Sequence, residues 1–257
     1  MPKIDKNLVK QRFTRSLKTY SDQAVVQQQT AEKMVQELIA TTGNRFPQIL
    51  EIGCGTGILT RLIEQQLTYE SLLANDLAPQ CNEHVATINN CHFVPGDIET
   101  QEYPQQKFDL IISNATFQWF DHLGDALKKF SNWLKPGGIM AFSTFGPENI
   151  KELAMLGGRS LKYLSHPETV AITQQDFSLI FEHEDVITLE FITPLAALKH
   201  LKATGVNSLP EHNDRANISI STKSALKTFS EAYIKTHSTQ HGVSLTYHPL
   251  IIIAKQQ

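Results

Sequence analysis

A predicted strand that runs directly into three closely spaced glycines is the feature that most constrains the fold of this chain. Residues 49–52 form an apolar run that predicts a buried strand, and residues 58–63 continue with helical character. Between them the sequence reads Gly53-Cys54-Gly55-Thr56-Gly57. Glycine at alternate positions lets the backbone turn sharply and lets a ligand approach the main chain closely. The segment therefore predicts a strand, a ligand-binding loop and a helix of an α/β domain.

The spacing of these glycines indicates the kind of ligand. A dinucleotide-binding loop reads G-x-G-x-x-G and holds a pyrophosphate, whereas here the third glycine comes one residue earlier and an acid precedes the first by two. This spacing resembles that of the class I methyltransferases, which bind S-adenosylmethionine, a cofactor whose cationic sulfonium and amino group suit a nearby carboxylate. The alternative is a tight turn in an unrelated α/β domain. The resemblance implies a cofactor site that includes Glu51, Gly53, Cys54, Gly55 and Gly57.

The composition narrows the class of protein further. Hydrophobic residues make up 41% of the 257 residues, which supports a normal core, and the net charge of −3 gives no global basic field for nucleic acid. The cysteines at 54, 81 and 91 show neither zinc spacing nor a paired arrangement, which indicates a reducing compartment and no metal. No apolar run reaches the roughly 18 residues of a membrane span, and no signal peptide is evident. We expect a cytoplasmic protein that does not enter the membrane.

Strands and helices alternate from residue 47 onward, which predicts βαβ units and a parallel sheet. The strand candidates are 48–52, 71–75, 91–94, 108–113 and 138–145, and the helix candidates between them are 57–67, 79–88 and 121–133. Beyond residue 146 we expect helices at 148–164, 174–182, 194–204 and 222–236, and strands at 185–193 and 243–254. The expected fold is therefore α/β and Rossmann-like, with a mainly parallel seven-stranded sheet and helices on both faces. We expect one domain over 1–257, with a helical lid segment at 1–42 and a helical insertion at 194–240 between the last two strands.

Acidic residues follow the second and third predicted strands. Ligands of open α/β sheets lie at the carboxyl ends of the strands, and Asp76 ends strand two, 25 residues beyond Glu51. That position suits an acid that accepts hydrogen bonds from ribose hydroxyls, with Leu77 beside it; the alternative is a helix cap. Similarity to class I enzymes implies that Asp97 meets the adenine amino group and that Ile98 packs on the ring.

Polar and aromatic side chains follow the fourth predicted strand, where methyl transfer is expected. The chain reads Asn114-Ala115-Thr116-Phe117 there, and not the N-P-P-Y sequence that suggests amine methylation. Gln118 and Trp119 follow directly. An aromatic face beside a sulfonium contributes roughly 0.5–2 kcal/mol of cation–π attraction, although Trp119 is equally compatible with core packing. We take Asn114, Gln118 and Trp119 as catalytic candidates, with Asn114 also touching the cofactor.

Seven segments together resemble the malonyl-acyl-carrier-protein O-methyltransferases of biotin biosynthesis. This resemblance covers nearly the whole length and implies methyl transfer to the free carboxylate of a malonyl thioester, carried by acyl carrier protein or by coenzyme A. It also places Tyr20 in a lid, as a further catalytic candidate. The segments are 20–24 with Gln27, 50–57, 96–99, 113–119, 142–147, 198–207 and 242–248.

The chemistry implied by the resemblance agrees with the sequence. A carboxylate is already ionised at neutral pH and needs neither a general base nor a metal, while orientation contributes roughly 7–11 kcal/mol in favourable cases. The site does need a cationic anchor for the malonyl carboxylate, and the candidates are Arg159, Lys199, His200 and Lys202. Two alternatives remain open: methylation of a small free dicarboxylate such as aconitate, and a non-catalytic protein that retains the fold.

Basic residues concentrate in two places. One is the N-terminal segment from Lys3 to Lys18, and the other is Lys199 with Lys202. Each is either a solvated helix face or a docking patch for an acidic carrier protein. We expect a monomer.

Overall fold

The computed structural model describes residues 4–156, 161–205 and 223–257. Its strands are β1 (Gln48–Ile52), β2 (Ser71–Asp76), β3 (Cys91–Pro95), β4 (Phe108–Ser113), β5 (Leu134–Phe145), β6 (Phe177–Glu184), β7 (Ile187–Phe191), β8 (Val243–Tyr247) and β9 (Pro249–Gln256). Seven of them form one sheet in the order β3-β2-β1-β4-β5-β9-β6. The first five pair in parallel, and β9 lies antiparallel between β5 and β6. The expected α/β fold with a mainly parallel seven-stranded sheet is confirmed.

The helices are α1 (Lys6–Gln23), α2 (Val25–Thr42), α3 (Ile58–Gln66), α4 (Asn82–Val85), α5 (Leu123–Trp133), α6 (Lys151–Met155), α7 (His166–Thr173), α8 (Pro194–Ala203) and α9 (Lys223–His237). Short 3₁₀ turns lie at Pro79–Cys81 and Phe117–Trp119. The helices predicted at 194–204 and 222–236 are therefore confirmed, while the one predicted at 79–88 is shorter.

Both faces of the sheet are covered because successive residues of a strand point to opposite sides. Ile49 of β1 packs in one core cluster with α2 and α3, and its neighbour Leu50 packs in a second cluster with α5. Full burial of such an aliphatic side chain stabilises the fold by roughly 1.5–3 kcal/mol. The two clusters fix the sheet between helical layers, so that the loops at the strand ends are held in place.

The region after β5 differs from the sequence prediction. The helix expected at 174–182 is wrong, because Phe177–Glu184 is the edge strand β6, which pairs with the fully buried central part of β9. Residues 185–193 do not join the main sheet; β7 pairs with β8 in a separate two-stranded sheet. The long strand expected at 243–254 is divided at His248 into β8 and β9. The segment between the last two strands of the main sheet therefore runs from 185 to 248 and contains two strands besides α8 and α9.

The helix expected at 148–164 is also mostly wrong. Of its described residues, 148–156 and 161–164, only Lys151–Met155 is helical. A new helix begins after Ser165, whose side chain accepts from the backbone N–H of Glu168 while the Glu168 carboxylate accepts from the Ser165 backbone. This capping box defines a helix start, which separates α7 from α6.

Candidate functional site

A cavity lies where the carboxyl ends of β1, β2 and β4 meet, and α1 runs across it. It holds about 1190 Å³ of empty space, part of it open to solvent. Its walls come from the glycine loop, the loops after β2, β3 and β4, helix α1 and the end of α8. The residues predicted from the sequence that line it are Tyr20, Gly53, Cys54, Gly55, Asp76, Leu77, Asp97, Ile98, Asn114, Gln118 and Trp119.

The glycine loop can only be built with glycine at its first position. Gly53 has φ +74°, a conformation that other residues rarely adopt. A Cβ there would lie 2.1 Å from Thr116 Oγ1. The Gly53 and Cys54 N–H groups both donate to the carbonyl of Asn75, at 2.8 and 2.9 Å. The loop after β1 is therefore held against the end of β2, and the Thr116 side chain of the loop after β4 occupies the space that a side chain at position 53 would need.

Asp76 joins two loops through its carboxylate. Its Oδ2 accepts from the N–H of Gly55 at 2.9 Å, and its Oδ1 accepts from the N–H of Ala78 at 2.8 Å. Burial raises its pKa, and these backbone donors oppose the shift by stabilising the anion. The 3₁₀ turn that follows has no side-chain cap, so the alternative role as a helix cap is not what the geometry shows. Asp76 is held in place beside the glycine loop with its carboxylate in the cavity wall.

Asp97 is held by a cation from the helix that covers the cavity. Lys6 of α1 donates to both carboxylate oxygens of Asp97, at 2.8 and 2.7 Å, and also to Glu99. Burial disfavours the charged ammonium, but the hydrogen bonds to Asp97 and Glu99 outweigh it and raise the pKa of Lys6. Ile98, between the two acids, is buried and lines the same wall.

Glu51 and Gly57 lie outside the cavity lining. Glu51 is 1% exposed, next to Thr60 and Arg61 of α3, and its carboxylate oxygens have no hydrogen-bond partner among the described residues. Burial raises its pKa to about 8, with Thr60 opposing the shift. Gly57 directly precedes α3, as its N-cap residue, in the left-handed conformation at φ +77°. Their predicted contact with a cofactor therefore stays a prediction, while their positions support the loop.

The loop after β4 is fixed by its own side chains. Asn114 Nδ2 donates to the carbonyl of Gln27 at 3.0 Å, and Asn114 Oδ1 accepts from Ser143 Oγ at 2.6 Å. Gln118 Nε2 donates to the carbonyl of Ala115 at 2.6 Å, while its buried Oε1 has no partner among the described residues. The half-buried Trp119 lines the cavity beside them. The three catalytic candidates after β4 are therefore brought together in one wall.

Helix α1 brings aromatic rings over the glycine loop. The Phe13 ring lies so close that a Cβ on Gly55 would meet its Cζ at 3.1 Å. Phe13 and Tyr20 pack edge to face with ring centroids 5.2 Å apart. Burial raises the pKa of Tyr20, and the charge of Asp76 adds to the shift. Tyr20 is thus a neutral hydroxyl at the cavity, close to Asp76.

The predicted carboxylate anchors are not brought into the described cavity. Arg159 lies outside the described residues. Lys199 and Lys202 are exposed and do not line it. His200 is buried, with Nε2 2.9 Å from the Tyr247 hydroxyl and Nδ1 3.4 Å from Gln23 Oε1. Burial lowers its pKa, which favours the neutral form.

Sequence reasoning missed Lys10 as a site residue. Among the described residues, Lys6 and Lys10 are the lysines in the cavity wall. The sequence does indicate this position, because Lys6, Lys10 and Phe13 follow the i, i+4, i+7 spacing of one helix face. Lys10 forms no ion pair with a carboxylate of the described residues.

Two negative observations apply to the part of the chain that the structure describes. None of its helices combines the length and apolar character needed to cross a bilayer. No group of three or more His, Cys, Asp or Glu side chains within it is arranged to hold a metal ion.

Comparisons with known proteins agree with this architecture. A family model described as "Methyltransferase domain" matches residues 26–183. A protein of Bacteroides thetaiotaomicron is 37% identical, with 99% of each chain covered, and one of Porphyromonas gingivalis is 36% identical, with 98% of this chain and 96% of the other covered. Both are named malonyl-[acyl-carrier protein] O-methyltransferase. The solved structure of YcgJ protein from Bacillus subtilis superposes with a TM-score of 0.62 at 15% identity, over 88% of this chain and 99% of that one, which shows the shared fold.

Proposed function

This chain belongs to the malonyl-[acyl-carrier protein] O-methyltransferases, and on that premise we propose that it methylates the free carboxylate of a malonyl thioester on acyl carrier protein. S-adenosylmethionine is the methyl donor, and S-adenosylhomocysteine is the second product. The methyl ester is the compound with which synthesis of the pimeloyl chain of biotin starts. The observation that carries the proposal is that the glycine loop, Asp76 and Asp97 meet in one cavity under α1.

The residues present fit the cofactor. Gly53 and Gly55 line the cavity and carry no side chain, which suits close approach of a ligand to the main chain. The carboxylate of Asp76 is rigidly held in the wall and can accept from ribose hydroxyls. Asp97 and Ile98 offer an acceptor and an apolar surface for adenine. These residues are the ones we expect to hold S-adenosylmethionine, which supplies an electrophilic methyl group when bound.

The protein's task is then to place and desolvate an existing nucleophile. The malonyl carboxylate is ionised at neutral pH, so no residue needs to remove a proton from it. Helix α1 runs across the cavity, and we assign to it the exclusion of water, which strengthens electrostatic interactions inside the site. We assign Tyr20, Asn114, Gln118 and Trp119 to positioning the reacting groups. The fixed amide of Asn114 and the unpartnered Oε1 of Gln118 support this assignment.

Lys10 joins the candidates for the cation that anchors the malonyl carboxylate. It lies in the cavity wall and has no carboxylate partner among the described residues, whereas Lys6 is already engaged by two acids. Of the candidates from the sequence, His200 and Arg159 stay in the set, whereas Lys199 and Lys202 are exposed, do not line the cavity and are not assigned as anchors. Lys10→Met should raise KM for every malonyl substrate, while Lys10→Arg should retain much of the affinity.

Mass spectrometry of the acyl carrier tests the function directly. Malonyl-acyl carrier protein incubated with enzyme and S-adenosylmethionine should gain the mass of one methyl ester. Acetyl-acyl carrier protein, which has no free carboxylate, should stay unchanged. Parallel incubations with malonyl-coenzyme A and with free aconitate test whether either compound accepts the methyl group. Methylation of aconitate with none of malonyl-acyl carrier protein would overturn the proposal.

We also infer a cytoplasmic, monomeric enzyme. The free thiols of Cys54, Cys81 and Cys91 are consistent with a reducing compartment. Gel filtration at working concentration checks the monomer.

A further inference from the structure

Four exposed cations lie on two helices that are far apart in sequence. Arg15 and Lys18 are on α1, one helical turn apart, and Lys199 and Lys202 are on α8 with the same spacing. None of the four pairs with a carboxylate of the described residues. They are therefore available to a partner.

The two helices are in direct contact at these cations. Thr19 Oγ1 donates to the carbonyl of Ala203 at 3.3 Å, and these two residues directly follow Lys18 and Lys202 in the sequence. Just beyond the end of α8, a Cβ on Gly205 would lie 3.1 Å from Oγ of Ser16 on α1, so the two segments are close there as well. Arg15 and Lys18, at the end of the first basic patch, and Lys199 with Lys202 therefore flank one contact between α1 and α8, and we call these four residues the α1–α8 surface.

The α1–α8 surface borders the cavity. Phe13 and Tyr20 on α1, and Thr204 and Gly205 after α8, all line the cavity. Helix α8 carries no acidic residue, and on α1 the exposed carboxylate nearby is that of Asp22. A local excess of positive charge therefore lies beside the cavity on a protein whose net charge is −3.

We propose that the α1–α8 surface is where the acidic carrier protein docks while its malonyl arm enters the cavity beside Thr204 and Gly205. This inference rests on the proposed function. Complementary charge chiefly raises the association rate and is screened by salt. Docking by complementary charge suits a carrier that must bind, deliver its malonyl group and leave. The rest of this enzyme is acidic, so a like-charged carrier is steered away from other faces.

The test compares charge-reversed enzymes on two substrates. The variants are Arg15→Glu/Lys18→Glu and Lys199→Glu/Lys202→Glu. The control is Arg45→Glu/Lys128→Glu, which makes the same charge change at an exposed site before β1 and on the exposed side of α5. The substrates are malonyl-acyl carrier protein and malonyl-pantetheine, which has the same thioester without protein or coenzyme A phosphates. Circular dichroism melting confirms that each variant is folded.

Each docking variant should raise KM for malonyl-acyl carrier protein about tenfold and leave KM for malonyl-pantetheine within twofold. The control should change neither. An equal rise in KM for both substrates would overturn the docking role and place the lysines or Arg15 in the site itself. An unchanged KM for the carrier substrate would place docking elsewhere. Failure of the parent enzyme to methylate either substrate would instead reject the proposed function.

Discussion

The ammonium of Lys6 lies 2.8 and 2.7 Å from the two carboxylate oxygens of Asp97, although 91 residues separate them in sequence. Asp97 is the acid that we expect to meet the adenine amino group, and Lys6 is near the start of α1. The helix that covers the cavity is therefore tied to one of the groups that would recognise the cofactor. Arrival of adenine and closure of α1 should be coupled, with Glu99 as a second partner for Lys6.

Lys6→Met should accelerate dissociation of S-adenosylhomocysteine, because α1 loses its tie to the loop after β3. We expect a change of about 2- to 5-fold, which corresponds to the 0.5–1 kcal/mol of a partly exposed ion-pair network. Stopped-flow fluorescence of Trp119 and Trp133 provides the measurement.

The matched control for this variant is Lys135→Met. Lys135 donates to both oxygens of Asp109, at 2.9 and 2.8 Å, at the other end of the sheet. Its loss should leave the dissociation rate unchanged. Equal rates for the parent and Lys6→Met enzymes would show that the ion pair does not control the lid.

Asp76→Ala should weaken binding of S-adenosylhomocysteine by about 1.5–3 kcal/mol, the usual effect of losing a charged hydrogen-bond acceptor. The variant also removes the acceptor of the Gly55 and Ala78 amides, so it should melt at a lower temperature. Isothermal titration calorimetry measures the affinity. Unchanged affinity would remove Asp76 from the cofactor site.

Tyr20→Phe should keep the fold and lose most of the turnover. Its hydroxyl makes no hydrogen bond to a described residue, and it stands at the cavity close to Asp76. Tyr69→Phe is the control, because that hydroxyl donates to the carbonyl of Asn89 away from the cavity. A Tyr20→Phe enzyme with parental kcat would contradict a role for the hydroxyl.

Glu51 should make the ligand-free protein less stable as pH rises. Its folded pKa of about 8 exceeds the ordinary value near 4.5, so the folded state binds more protons than the unfolded state between these values. The stability contributed by the protonated carboxyl is present below pH 4.5 and is lost as pH rises toward 8. Because Glu51→Gln has no carboxyl group to ionise at this position, it lacks this loss. By pH 8 its free energy of unfolding should have risen relative to that of the parent by up to about 4 kcal/mol.

Urea unfolding at pH 5, 6, 7 and 8 measures the difference. Glu32→Gln, at an exposed position of α2, serves as the control and should track the parent. A constant difference between the parent and Glu51→Gln across this range would mean that Glu51 is ionised in the folded protein.

The local sequence determined the first five strands, the glycine loop and the acids after β2 and β3. Each of these depends on neighbours in the chain: an apolar run that forms a buried strand, a glycine that permits φ +74° at residue 53, and an acid directly after a strand end. Because parallel strands end at the same edge of the sheet, the sequence alone is enough to predict that Asp76 and Asp97 lie at one cavity.

Tertiary structure alone decided the rest. Residues 177–184 became a strand because the buried β9 lies beside them, and 187–191 left the main sheet to pair with β8. Lys6 meets Asp97, and Thr19 meets Ala203, only because α1 packs across the cavity and against α8. Such contacts join residues 91 or more positions apart, and no local propensity or spacing specifies them. The sequence by itself therefore determined the cofactor loop and its acids, while the packing of α1 decided what covers the site and which cations surround it.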